Sequence, residues 1–363
     1  LKNEDKILPL KKKGQRIALI GPLAADKNSP LGNWRIGADD NTAISVLEGL
    51  QAYRGNDIKH QQGVKLLNKI PAGFHEEVSI NETDRTGFVA AKKAAARADL
   101  VVMVLGEYGF QSGEGRSRAN LDLPGLQQEL LEEIYAVNPN IVLVLMNGRP
   151  LILNWASEHL PAIVEAWHLG TQSGNAIAQV LYGDYNPGGK LTMSFPRNVG
   201  QMPLYYNIKS TGRPGADGED QGSVFWSHYG DEKHTALYPF GYGLSYTSFS
   251  YSDITLSALK MNTKSVIEAS VVLTNIGEVE GKEVVQLYLQ DPFANVVRPI
   301  RELKGFELVS LKPGETKRIT FTIDEKMLQF YSANNIWESE EGDFNIFIGT
   351  DSTTKRKATF VLN

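Results

Sequence analysis

The sequence predicts an α/β domain with a mainly parallel sheet, an α/β sandwich, followed by an all-β sandwich of fibronectin type III-like form. Three observations predict it. Residues 100–105 (LVVMVL) and Ile141–Met146 (IVLVLM) are apolar without alternation and are separated by helical stretches, and strands buried on both faces belong to parallel sheets with helices on both sides. From Phe249 onward, short strand-like runs alternate with turn residues. The length of 363 residues gives room for two or three cores at the usual domain size.

Residues 16–23 (RIALIGPL) form a short apolar run ending in Gly-Pro, a buried strand leading into a loop. A helix is expected over 42–53, with Ile44, Leu47 and Leu50 on one side and Thr42 as N-cap. The Ala- and Lys-rich segment 83–98 is a second helix, and it leads into the strand 100–105. Residues 124–137 form a third helix, with Pro124 in its first turn and Leu126, Leu130, Leu131 and Ile134 on one side. A strand over 141–146, another over 162–166 and a helix over 174–182 complete this part.

Residues 1–14 read as a linker, 15–205 as the α/β domain, 206–248 as a long irregular connection and 249–363 as the β-sandwich. The stretch 210–242 is rich in Gly, Asp and aromatic residues without period, and a structureless stretch of that length is more often functional than idle. In the sandwich, strands are expected over 266–274, 284–290, 303–309, 317–323 and 344–348. Turn chemistry separates them at Asn275-Ile276-Gly277, Lys312-Pro313-Gly314-Glu315 and Glu341-Gly342-Asp343.

Composition excludes several functions. With 37 Lys and Arg against 42 Asp and Glu, the net charge is −5, which supplies no field to gather phosphates, so no nucleic-acid partner is expected. No Cys is present, so there is no disulfide framework, zinc-thiolate site or cysteine nucleophile. The longest apolar runs fall far short of the roughly 18 residues of a membrane span. There is no P-loop and no Gly-x-Ser-x-Gly. Gly241-Tyr242-Gly243 begins a dinucleotide fingerprint, but Tyr246 occupies the third glycine position. The six His residues are scattered without metal-ligand spacing, and neither cofactor nor metal is expected. Asn81-Glu82-Thr83 fits a glycosylation sequon too short to weigh. The N-terminus, LKNEDKILPL, has no initiator Met and no signal peptide and reads as the continuation of a longer chain.

Chemistry concentrates in 106–124, the loop that follows the strand 100–105. In an open α/β sheet the site is built at the carboxyl ends of the strands. Gly113 and Gly115 flank Glu114 and allow its carboxylate to be held out on a bending backbone, while Arg116 and Arg118 supply charge beside it. The alternative is a solvated loop whose charges pair with one another. Trp34, in the loop after the first strand, is either a stacking platform for the C–H face of a sugar or a cover for the core. Trp155 and Trp167 lie in or beside apolar elements and are expected in the core.

Together, LKNEDKILPL, VLMNGRPL (144–151), GNAIAQVLYGDYNPGGKLTMSFPRNVGQMPLYY (174–206), TGRP (211–214), ALYPFGYGLSYTSF (236–249) and RELKGFELVSLKPGET (301–316) resemble the C-terminal portion of a glycoside hydrolase family 3 β-glucosidase of the bacterial periplasmic type. The resemblance covers nearly the whole chain. It implies that an N-terminal (β/α)8 barrel bearing the catalytic Asp nucleophile precedes the α/β sandwich, and that any export signal lies upstream, in a periplasmic or secreted protein.

The family's retaining chemistry uses two carboxylates about 5 to 5.5 Å apart. The position matching its acid/base residue is Glu114, which would protonate the glycosidic oxygen and then activate water; Glu107, directly after the strand, is the competing candidate and reads as a supporting residue. Trp34 falls near the family's aglycone-side aromatic and is carried over as substrate-binding. The loop 223–237, with Tyr229 and Asp231, either approaches the site or bridges domains. The resemblance also implies that the chain alone, lacking the nucleophile, does not turn over β-glucosides. The partners expected are a β-glucoside or oligosaccharide and the barrel. The readings left open are an exo-acting β-glucosidase, a β-xylosidase or other β-glycosidase, a non-catalytic carbohydrate-binding or scaffold module, and an α/β binding protein for another small ligand.

Overall fold

The computed structural model describes residues 1–4, 6–73, 75–213 and 225–363. Pro214 of the TGRP motif and Ser223 and Val224 of the loop 223–237 lie outside the described residues. The chain forms two compact units, Leu1–Tyr185 and Asn186–Asn363.

The first unit is built on β1 (Lys2–Asn3), β2 (Arg16–Ile20), β3 (Asp57–Gln61), β4 (Leu100–Gly106), β5 (Ile141–Met146) and β6 (Ala162–Glu165), with helices α1 (Val46–Gln51), α2 (Phe88–Ala95), α3 (Gln127–Tyr135), α4 (Asn154–His159) and α5 (Ser173–Leu181). The sheet order is β1-β6-β5-β4-β2-β3. All pairings are parallel except that of β1, whose Lys2 lies antiparallel to Ile163. Residues 1–14, expected as a linker, thus contribute an edge strand. Every residue of β4 and β5 is buried, as their unbroken apolar runs require when helices cover both faces.

Several helix bounds differ from expectation. The N-cap of α1 is Ser45, not Thr42: Ser45 Oγ accepts from Glu48 N–H and the Glu48 carboxylate accepts from Ser45 N–H, a complete capping box. Residues 83–87 are not helical, because the Asn81 side chain accepts from the amides of Thr83 and Asp84 and holds them in a turn. Asn81 itself is buried, with Nδ2 donating to the carbonyls of Lys65 and Asp84, so its amide is in structural use. β3 and α4 were not expected. Trp155 and Trp167 are half-buried rather than core residues; Trp155 stacks on His159 at 4.4 Å.

The five parallel strands, numbered among themselves along the chain, have the order 2-1-3-4-5. The order reverses between β2 and β4, and a crevice opens at the carboxyl ends of strands at such a reversal.

The second unit carries β7 (Phe249–Tyr251), β8 (Thr255–Leu256), β9 (Lys260–Met261), β10 (Ile267–Asn275), β11 (Gly281–Gln290), β12 (Glu302–Leu311), β13 (Thr316–Ile323), α6 (Glu325–Leu328), β14 (Phe330–Tyr331), β15 (Trp337–Glu338), β16 (Gly342–Gly349) and β17 (Lys357–Leu362). One sheet runs β13-β10-β7, with β8 also on β10, and the other runs β12-β11-β16-β17-β9. Alternating residues such as Val271, Leu273, Val285, Leu287, Ile346 and Ile348 fill the core. Residues 186–205 group with this unit. Phe195 bridges Tyr238, and Lys190 Nζ lies 3.1 Å from Glu283 Oε2 while donating to Gly243 O. Among the described residues no helix is long and apolar enough to cross a membrane.

Candidate active site

The loops after β2, β4, β5 and β6 meet at the carboxyl edge of the first sheet. Glu107 is the first residue past β4, and it has no solvent exposure. A buried carboxylate needs partners, and Glu107 has three. Arg118 Nη1 donates to Oε1 at 2.9 Å, Arg149 Nε lies 3.0 Å from Oε1, and the Gly148 amide donates to Oε2 at 3.1 Å. Each arginine also grips the loop between them. Arg118 Nη2 donates to Asp122 O at 3.1 Å, and Arg149 Nη2 donates to the carbonyls of Gln111 and, at 2.8 Å, Arg116. Buried Gln127 secures the base of the loop by exchanging hydrogen bonds with the Gly106 backbone at 2.9 and 2.8 Å. Glu107 therefore anchors the loop.

Glu114 stands at the opposite extreme. It is exposed, and its carboxylate makes no ion pair or hydrogen bond among the described residues. Gly113 has φ +120° and Gly115 φ +69°, so the backbone takes on either side of Glu114 the conformation that L side chains avoid. A Cβ at 113 would come within 2.5 Å of Asn33 Nδ2. The two arginines expected to attend Glu114 point elsewhere: Arg118 serves Glu107, and Arg116 Nη2 donates to Glu76 O at 2.9 Å.

Trp34 is 60% exposed. Its neighbours are pinned to the loop that carries Glu114. Asn33 packs against Gly113, and the Arg35 guanidinium lies 4.8 Å over the ring of buried Phe110. One turn earlier, Ser29 Oγ accepts from the Gly109 amide at 3.1 Å. The structure thus brings the Trp34 loop and the Glu114 loop together at the β2/β4 reversal and leaves both candidate side chains toward solvent.

Behind them sit groups that the motifs did not flag. Gly148 admits no side chain, since a Cβ there would collide with Ser112 Oγ and approach His168 Nε2 to 3.3 Å. Burial lowers the pKa of His168. Glu165, at the end of β6, accepts from Trp167 N–H at 2.9 Å and from Asn147 Nδ2 at 3.4 Å; burial nevertheless pushes its carboxyl up to about 8. Trp167 itself has φ +50°. Arg149 belongs to the motif NGRP, which carries no chemistry by spacing; only its long-range partner Glu107 reveals its task. Tyr229, of the loop 223–237, donates to Gly200 O at 3.0 Å within the second unit. Among the described residues no group of three or more His, Asp or Glu side chains is placed to hold a metal ion.

The comparisons with known proteins agree with this architecture. Residues 1–246 match the glycosyl hydrolase family 3 C-terminal domain, and residues 283–352 match a fibronectin type III-like domain. A periplasmic beta-glucosidase of Salmonella typhimurium is 43% identical over 100% of this chain and 48% of its own length. A beta-xylosidase of Formosa agariphila is 38% identical over 97% of this chain and 46% of its own. The crystal structure of beta-glucosidase from Listeria innocua in complex with glucose superposes with a TM-score of 0.90 at 35% identity, covering all of this chain and 48% of that one. The chain spans about half the length of the curated relatives it matches. By sequence and by fold, the chain belongs to glycoside hydrolase family 3, whose C-terminal α/β domain and fibronectin type III-like domain it carries.

Proposed function

We propose that this chain supplies the proton-handling half of an exo-acting, retaining β-glucosidase that removes terminal non-reducing β-D-glucosyl residues, with Glu114 as general acid/base. The observation that carries this reading is the contrast between two carboxylates of one loop. Glu107 is fully engaged as an anchor, while Glu114 is unpaired and held out between two glycines at the sheet's reversal point. Glu114 would give its proton to the glycosidic oxygen as an Asp nucleophile of an N-terminal (β/α)8 barrel attacks the anomeric carbon. It would then take a proton from the water that hydrolyses the glycosyl-enzyme. Trp34, exposed beside this loop, offers an apolar face to the leaving group. No cofactor takes part. A periplasmic or secreted setting accords with the relative from Salmonella typhimurium.

The test is hydrolysis of aryl β-glucoside and aryl β-xyloside by the 363-residue chain alone and by the chain preceded by a family 3 barrel. We expect no turnover from the chain alone and, with the barrel, a higher kcat/KM for the glucoside. A higher value for the xyloside would make the protein a β-xylosidase, which relatives such as that of Formosa agariphila support. No hydrolysis of either, with the barrel folded and its nucleophile present, would favour a non-catalytic sugar-binding module.

A further inference from the structure

Beside the anchored loop, the first unit holds a groove of about 730 Å³ that the proposed reaction does not use. Its lining includes Arg118, Asn120, Asp122, Gln128, Glu132 and Trp155. We propose that this groove binds a neutral oligosaccharide.

Three features point to that class of ligand. The polar groups are planar amides, which both donate and accept, carboxylates, which accept, and a guanidinium, which donates, a set that can serve adjacent hydroxyls of a sugar ring. They stand beside the Trp155 indole, one face of which His159 covers, and the flat apolar face of an indole fits the C–H face of a pyranose. Trp155 is held in place by stacking on His159 at 4.4 Å and by an edge contact with Tyr135 at 5.3 Å, so little ordering is left for binding to require. The groove also has free hydrogen-bonding capacity. Asn120 uses Oδ1 to accept from the Asp122 amide at 2.7 Å, which leaves its Nδ2 and the exposed Asp122 carboxylate without a partner among the described residues. Finally, the charge disfavours anions. Glu82, Asp122 and Glu132 line the groove against Arg118 alone, and Arg118 is already neutralised by Glu107. The inference goes beyond the proposed hydrolysis, because binding here needs neither Glu114 nor a barrel.

The experiment is titration of the 363-residue chain with cellotetraose, followed by indole fluorescence and calorimetry, with tetragalacturonate as the anionic comparator. Saturable binding of cellotetraose and not of tetragalacturonate is expected. Asn120→Ala with Asp122→Ala, both in an exposed loop, should weaken it about tenfold, and Trp155→Ala should weaken it at least as much. Should Trp155→Ala fail to fold, the loop pair still decides. Glu114→Ala should bind as the wild type does, which separates binding in the groove from the proton transfer proposed for Glu114. Absence of saturable binding, equal binding of tetragalacturonate, unchanged affinity in the loop pair, or affinity that collapses in high salt as charge attraction would overturns the proposal.

Discussion

Arg149 Nε lies 3.0 Å from Oε1 of Glu107, a carboxylate with no solvent exposure. The same guanidinium donates to the carbonyls of Gln111 and Arg116, on either side of Glu114. One buried ion pair thereby positions the segment that carries the proposed acid. Breaking such a pair from one side leaves an uncompensated charge and costs about 3 to 5 kcal/mol. Glu107→Ala should therefore lower stability by about 3 kcal/mol or more in urea unfolding of the chain. Glu114→Ala, at an exposed and unpaired site, should stay within about 0.5 kcal/mol. Equal losses would mean that the two carboxylates share a structural role.

The glycines on either side of Glu114 differ in what surrounds them. Gly113 combines φ +120° with the Asn33 side chain, whose Nδ2 lies 2.5 Å from where a Cβ would stand, whereas nothing lies within 4 Å of a Cβ at Gly115. Gly113→Ala should thus cost more than Gly115→Ala, for which the backbone alone contributes about 1 to 2 kcal/mol. It should also raise amide exchange across 29–35 and 109–116, where the two loops meet. If Gly115→Ala costs as much as Gly113→Ala, the Asn33 contact is not what fixes the loop.

Glu165 makes stability depend on pH. Its carboxyl is raised by burial, against the opposing hydrogen bonds from Trp167 and Asn147, from the ordinary 4.5 to about 8. The folded state therefore holds a proton that the unfolded chain releases, and the contribution present below about pH 4.5 is lost as pH rises through 8. The melting temperature of the wild type should fall between pH 5 and pH 8 more steeply than that of Glu165→Gln. Parallel curves would show that Glu165 is ionised throughout.

How far these features could be read in the chain depends on the range of the interactions. β4 and β5 are legible because burial on both faces leaves uninterrupted apolar runs. β3, at the sheet edge with the sequence DIKHQ and mixed burial, offers no such run. The start of α1 is a local signal, Ser45-x-x-Glu48, that outranks the nearby Thr42. Glu114 between its glycines is visible in five residues. The anchor is not, because Glu107 finds Arg118 eleven positions on and Arg149 on the next strand's loop, a pairing that only the parallel β4/β5 register creates.

In the second unit, the lysine of the PGGK turn has a stability role of its own. Lys190 and Glu283 are both nearly buried and 3.1 Å apart, and Tyr251 donates to the other carboxylate oxygen at 2.9 Å. Lys190→Met should destabilise by about 3 kcal/mol, because Glu283 is left charged in the interior. Adding Glu283→Gln should recover part of that loss in the same calorimetric scan. A double variant no more stable than Lys190→Met would locate the cost in packing instead.

The central claim is that Glu114 handles the proton, and it is tested most directly in the barrel-bearing enzyme. Glu114→Ala is compared with wild type on aryl β-glucosides with good and poor leaving groups, with and without azide. The account predicts that kcat/KM falls far more for the poor leaving group, by about 100-fold or more, and that azide restores turnover of the good one as β-glucosyl azide. Small, equal losses on both substrates, with no azide product, would contradict it.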